Sequence, residues 1–502
     1  MEQRLAVIDL GSNSFRLVVF SSTDAWWKRT DEIYEPVRVG EHQEPGGPLQ
    51  DAPMARALEA IDMFARFCRA SGIERVRPLA TSAIREASNR KAFAEEVWRH
   101  SGLEIEVLAR EEEARLGYLA AVNSTTLADG VTLDIGGGSM QLSHVAERRA
   151  LDARSWRLGA VVTTERFLPT DRTKPKQLRA LRDHVREELA EADWLGATKG
   201  RIVGVGGAVR TLATAVMLAE ELPTFGIQGF CISRSSLDDL IDDLAARTPA
   251  ERRKVPGIKP ERADVILAGA VVIRTVMEVG GFEALEATEA GLREGAFFDE
   301  RYADEPDGLV PDVRRASVLN LAAQYHPEER HTEHVARLAL EIWDALAAAG
   351  THPGAAEERE LLWAAAMLHD IGTAIDYDDH HKHSRYLILN AGLAGFSPRE
   401  TALIGQMARY HRKGDPGLGE CAKLGRKGDE DLLVRCAATL RVAEQLERPR
   451  DQAVRHADVV VDGDHVELRL RSRRDVTVGA WAAQRESDLF ARAFGRELTV
   501  VT

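Results

Sequence analysis

Two segments share one unusual pattern, and they constrain the fold of this chain more than any other feature. At Val7–Phe15 (VIDLGSNSF) and Leu133–Leu142 (LDIGGGSMQL), an apolar run ends in an Asp, Asp9 or Asp134. A loop of Gly, Ser and Asn follows at once, and then a second strand pattern, FRLVVF or MQLSHV. Short apolar runs bounded by glycine read as buried strands. Small loop residues let several backbone N–H groups point into one concavity, which suits a phosphate oxygen. An Asp at its mouth suits a hard divalent cation shared with that phosphate. The first loop offers Gly11, Ser12, Asn13 and Ser14, and the second offers Gly136, Gly137, Gly138 and Ser139. Two copies about 125 residues apart predict a duplicated α/β fold that grips one phosphate chain from both sides.

A length of 502 residues predicts about three domains. An apolar fraction of 44% with 29% charged residues describes a soluble globular protein. No apolar run reaches the ~18–20 residues of a membrane helix. The N-terminus enters a strand directly, without a signal peptide, so a cytoplasmic location and no membrane partner are expected. Cys68, Cys231, Cys421 and Cys436 are scattered and form no Cys-x-x-Cys pair, which fits a reducing compartment and gives no zinc–cysteine site. The net charge of −14 argues against a nucleic-acid partner. A polyanionic ligand would then need local basic clusters or a bound metal.

Strands are expected at Leu5–Leu10, Phe15–Phe20, Val76–Thr81 and Ile105–Ala109, with amphipathic helices at Ala52–Ser71 and Arg110–Ala121. A second α/β segment, opening near Asn123, repeats the strand–glycine loop–strand order. It adds a strand–glycine–helix unit at Arg201–Glu220 and an apolar helix at Arg262–Val279. The Pro/Asp/Gly-rich stretch Asp304–Asp312 reads as a linker. Beyond it the chain is almost all helical until a hairpin at Val459–Leu470 with Asp-Gly in the turn. The expected domains are therefore 1–122, 123–303 and 304–502.

The two loops, with TSAIREA at Thr81–Ala87, REEEARLGY at Arg110–Tyr118 and GLREG at Gly291–Gly295, resemble the exopolyphosphatase / guanosine pentaphosphate phosphohydrolase family over residues 1 to about 303. The tail, with AAMLHDIG, DDHHKHSRYLI and ARYHRKG, looks like the HD-type domain of the family's longer members. The resemblance implies duplicated ribonuclease H-like domains, the fold of actin, sugar kinases and chaperone ATPases, followed by a mostly α-helical HD-type domain. It implies removal of a terminal phosphate, from inorganic polyphosphate in the first instance and from guanosine pentaphosphate as the alternative, with Mg²⁺ or Mn²⁺. It also implies a homodimer.

On that reading Asp134 is the first metal ligand and Asp9 the symmetric one. The resemblance makes Glu113 the carboxylate that aims water at phosphorus and Arg85 a bidentate phosphate clamp. Gly206 and Gly207 join the phosphate-binding set through the strand–glycine–helix turn. The sequence departs from the family pattern at Gln141, where a Glu is usual, and an amide brings no charge to a cation site. In the tail, His334, His369, Asp370 and Glu444 form a candidate second metal set. Arg409, His411, Arg412 and Lys413 form a basic strip suited to guiding polyphosphate. A kinase or ATPase of the same fold, and a non-catalytic polyphosphate or nucleotide sensor, are the rival readings.

Overall fold

The first strand, β1 (Gln3–Leu10), turns through a four-residue loop into β2 (Phe15–Ser22), which pairs antiparallel with β3 (Trp27–Glu35). β4 (Arg75–Ala80) and β5 (Glu106–Val107) then add in parallel, giving the sheet order β3-β2-β1-β4-β5. The helix Asp51–Ala70 connects the antiparallel part to the parallel part. It buries Ala57, Ala60, Ile61, Phe64 and Cys68 at three- and four-residue spacing, with Asp51 in its first turn and Arg69 in its last. The computed structural model describes residues 2–44, 46–325 and 328–502.

The second sheet repeats the plan. β6 (Gly130–Ile135), β7 (Met140–Ala146) and β8 (Arg149–Trp156) form an antiparallel meander. β9 (Arg201–Val205) pairs parallel with β6, and β10 (Phe230–Ser233) and β11 (Ala284–Ala287) complete the order β10-β11-β9-β6-β7-β8. These are two actin-like α/β domains. Val7 and Val18 of one sheet and Val203 and Val205 of the other share one buried apolar cluster with Leu116, Leu119 and Phe297. The helices Arg110–Val122 and Leu292–Arg301 supply the last three. They cross closely because a Cβ on Gly295 would strike the Leu116 carbonyl.

The stretch expected to be a linker is hydrogen-bonded to this first unit. Asn123 donates from Nδ2 to the Gly308 carbonyl at 2.9 Å and accepts from the Val310 N–H at 2.9 Å. The compact units are therefore Met1–Val313 and Arg314–Thr502, a break some ten residues later than the expected boundary at 304.

The second unit is mostly helical. Its core is built by the helices Glu329–Ala348, Ala356–Leu368, His380–Ala391, Pro398–Tyr410 and Asp429–Leu446, with Trp343, Phe396 and Phe490 fully buried. A capping box of Ser397 and Glu400 starts the fourth of these. The C-terminal hairpin, β12 (His456–Asp462) and β13 (His465–Arg471), forms as expected, and β14 (Glu497–Val501) joins it in parallel.

Candidate active site

Both glycine loops are four-residue connections at the same point of the two sheets. Leu10 pairs with Phe15 across the first and Ile135 with Met140 across the second. One residue back, Asp9 stands opposite Arg16 and Asp134 opposite Gln141. The loops are tied from the side: Arg38 and Gly40 donate to the Asn13 and Ser12 carbonyls, and Ala160 and Val161 to those of Gly136 and Gly137. Ser12 Oγ lies 3.0 Å from Ser82 Oγ, and a Cβ on Gly138 would collide with that Ser82 hydroxyl. The loop residues expected to bind phosphate, except Gly138, thus face one cavity of about 120 Å³, together with Asp9, Asp134, Glu113, Gly206 and Gly207; Gly138 borders the adjoining cavity instead.

Glu113 sits in the first turn of the helix Arg110–Val122 and is buried. Its Oε2 accepts from Arg85 at 2.6 Å, and its Oε1 accepts from Ser139 Oγ at 3.3 Å. Gln141 Nε2 donates to that same Ser139 hydroxyl at 2.9 Å. The amide that replaces the usual Glu therefore orients the loop serine that orients Glu113. Arg85 donates from NH1 to Glu113 and to the Leu108 carbonyl and does not itself line the cavity, while its Nε and NH2 are buried without a hydrogen-bond partner.

Four arginines not singled out in the sequence line the cavity instead: Arg16, Arg210, Arg262 and Arg293. Burial and the neighbouring Arg293 lower Arg210 to about 10, and burial lowers Arg262 too. A phosphate chain would relieve that crowding. Local signals existed for three of them. Arg16 follows the first loop, Arg293 lies in GLREG, and Arg210 stands four residues after Gly206 and 125 after Arg85, the offset that also separates Asp9 from Asp134. Arg262 carries no such signal.

Among the described residues, neither Asp9 nor Asp134 accepts a hydrogen bond or ion pair from a protein donor. Burial raises both, Asp134 to about 7, and Glu113 raises each further. Gly206, at φ +92°, brings its backbone so close to Asp134 that a Cβ would lie 2.8 Å from Oδ1. Half-buried carboxylates that repel one another and accept from no described protein donor fit a bound divalent cation.

A second cavity of about 270 Å³ is bordered by the same Ser12, Asn13, Gly137 and Gly138 and runs on past Glu41, Gln43, Glu86, Arg157, Glu165 and Asp264.

In the second unit His369, Asp370 and Glu444 meet, but His334 does not join them. Its Nε2 faces the Val454 carbonyl at 2.9 Å, and His331, one helical turn earlier, takes its expected place beside Asp370 and Glu444. His411 is fully buried against the same cluster and leaves the basic strip. Lys413 is exposed, while Arg409 and Arg412 lie half-buried against Tyr410 and Tyr377.

Residues 18–302 match the profile of the Ppx/GppA phosphatase family, and residues 313–487 that of the family's domain III. The chain is 26% identical over 470 residues to the guanosine-5′-triphosphate,3′-diphosphate pyrophosphatase of Vibrio vulnificus, covering 93% of this chain and 91% of that protein. It is 27% identical over 481 residues to that of Aeromonas hydrophila, covering 93% and 92%. Among solved structures, a Ppx/GppA family member from Aquifex aeolicus aligns with TM-score 0.53 and 27% identity, over 61% of this chain and 100% of its own. An exopolyphosphatase from Cytophaga hutchinsonii aligns with TM-score 0.55 over 61% and 99%, and at 23% identity it speaks for the fold alone.

Proposed function

Because the chain belongs to the Ppx/GppA phosphatase family, we propose that it hydrolyses the terminal 5′ phosphoanhydride bond of guanosine 5′-triphosphate 3′-diphosphate. The chemistry rests on one observation: a buried carboxylate, Glu113, is held between Arg85 and Ser139 at the edge of a cavity walled by two backbone loops and four arginines. Glu113 orients a water toward the terminal phosphorus and accepts its proton. Loop N–H groups and Arg16, Arg210, Arg262 and Arg293 hold the phosphate oxygens, where charge collects as the bond breaks. Asp9 and Asp134 would hold Mg²⁺ or Mn²⁺, which when bound neutralises the phosphate charge.

The substrate is supported by the relatives matched over nine-tenths of their length and by the adjoining 270 Å³ cavity. The Glu165 carboxylate and the Gln43 side-chain oxygen in that cavity can accept N–H donors of the kind a guanine edge presents. Polyphosphate is the second reading, because arginines lining the phosphate cavity need no nucleoside. Phosphate release measured side by side should give guanosine pentaphosphate the higher kcat/KM by about ten-fold or more, the discrimination worth ~1.4 kcal/mol of differential binding. Preference for long polyphosphate would reverse the assignment.

A further inference from the structure

The arginine wall of the first unit carries a carboxylate of its own. Arg16 lies on β2, and β3 runs antiparallel beside it with Tyr34 opposite Arg16. Glu32, two residues earlier on β3, shares the face of Tyr34. Its Oε1 lies 2.8 Å from NH1 of Arg16 and 3.8 Å from NH1 of Arg293. Among the described residues, Glu32 is the only carboxylate in ion-pair range of the four arginines that line the phosphate cavity. Arg210 donates instead to the Glu289 carbonyl at 2.7 Å, and Arg293 NH1 is buried without a hydrogen bond.

The pairing is not needed to keep Arg16 in place. Its guanidinium rests over the Tyr34 ring at 4.8 Å, a cation–π contact that remains when the carboxylate moves away. Glu32 is also the loose member of the group. Its side chain is 40% exposed, against 17% for Arg16 and 6% for Arg293. It stands on an edge strand, so it can turn to water while the two arginines stay. Guanidinium groups take a carboxylate and a phosphate through the same donors. A phosphate oxygen and Glu32 therefore compete for the same N–H groups.

We propose that Glu32 is a built-in counter-anion that an incoming phosphate group displaces from Arg16 and Arg293, an inference that rests on the phosphate-binding role proposed above for the arginine wall. Its effect is to loosen the hold on the substrate and on the shortened product alike. Weakening both equally costs nothing in turnover at saturating substrate, and it lets the product leave. Four arginines with no such competitor would hold the product longer.

The test uses the full-length chain with Glu113→Gln, so that ligand is not consumed, titrated calorimetrically with inorganic tripolyphosphate in Mg²⁺. Adding Glu32→Gln should tighten binding about ten-fold, the scale of one competing charged hydrogen bond. Asp31→Asn removes the same charge one residue away, on the opposite face of β3, and should change binding by less than about two-fold. With Arg16→Gln also present, the gain from Glu32→Gln should shrink to about two-fold or less, because most of the competition is then gone. Unchanged or weaker binding with Glu32→Gln would overturn the inference, the second by showing that the carboxylate only holds Arg16 in position. An equal gain from Asp31→Asn, or a full gain without Arg16, would overturn it by showing a diffuse effect of charge. Arg16→Gln alone separates the two levels. Unaltered tripolyphosphate binding would remove the role of the wall and the inference with it, whereas weakened binding with no gain from Glu32→Gln would remove the counter-anion only. Thermal melts of each variant check that it is folded.

Discussion

Arg85 and Ser139 hold the Glu113 carboxylate, and the role proposed for it there makes three residue-scale predictions distinct. Glu113→Gln keeps the shape and removes the base, so turnover should fall about 10²–10⁴-fold with substrate affinity retained. Single-turnover phosphate release beside equilibrium binding would show this; near-normal turnover would mean that another carboxylate directs the water. Arg85→Ala leaves Glu113 buried and free to swing. Its effect should fall on kcat more than on KM, with Arg85→Lys restoring part of the loss, because the role is to position and not to bind. A phosphate clamp would show the opposite split. Gln141→Glu puts a carboxylate into a buried place near Asp134, Asp9 and Glu113. It should lower the Mg²⁺ concentration for half-maximal activity, and in chelator it should lower the melting temperature, because four carboxylates then share one cavity without a cation. Metal titration and thermal melts in EDTA read the two effects separately.

At the scale of elements, the site depends on where strands stop and glycine takes over. Gly206 ends β9 at φ +92° with Asp134 against its backbone. Gly206→Ala should cost about 1–3 kcal/mol of stability, the usual penalty for a side chain in a disfavoured backbone region. Chemical denaturation would measure it, and activity should fall with it as Asp134 is displaced. Element reading from sequence succeeded where periodicity was strong: the helix expected at Ala52–Ser71 is Asp51–Ala70, and the one at Arg110–Ala121 is Arg110–Val122. It missed β3, whose alternation is hidden by charged residues on a largely exposed edge strand. Both loops and their aspartates were legible because glycine and strand-ending Asp are local signals. Arg262 and the replacement of His334 by His331 were not. Which of two histidines three residues apart faces a cluster is set by helix rotation in the packed core, and both lie on the same side of the pattern.

On the scale of the whole molecule, the solved relative from Aquifex aeolicus is matched along its full length by 61% of this chain. The first unit of this protein ends at Val313, with the segment through Val310 fastened to Asn123 and Arg148. A fragment of residues 1–313 should therefore fold and still release phosphate, whereas one cut at 303 should lose those contacts and melt at a lower temperature. Melting curves and phosphate release on both fragments would check this. The first unit also carries a record of its own doubling that has drifted in charge. Positions related by the 125-residue offset keep the carboxylates Asp9 and Asp134, yet one half has Arg16 where the other has Gln141. Arg85 is turned to a protein carboxylate while its counterpart Arg210 is turned to the cavity. A cradle with true two-fold symmetry would accept a phosphate chain equally well in either direction. On the proposed reading this one is polar, like a keyed socket: one wall would attract charge, the other would aim water, and a chain laid in backwards would present its terminal phosphorus to the wall without a base.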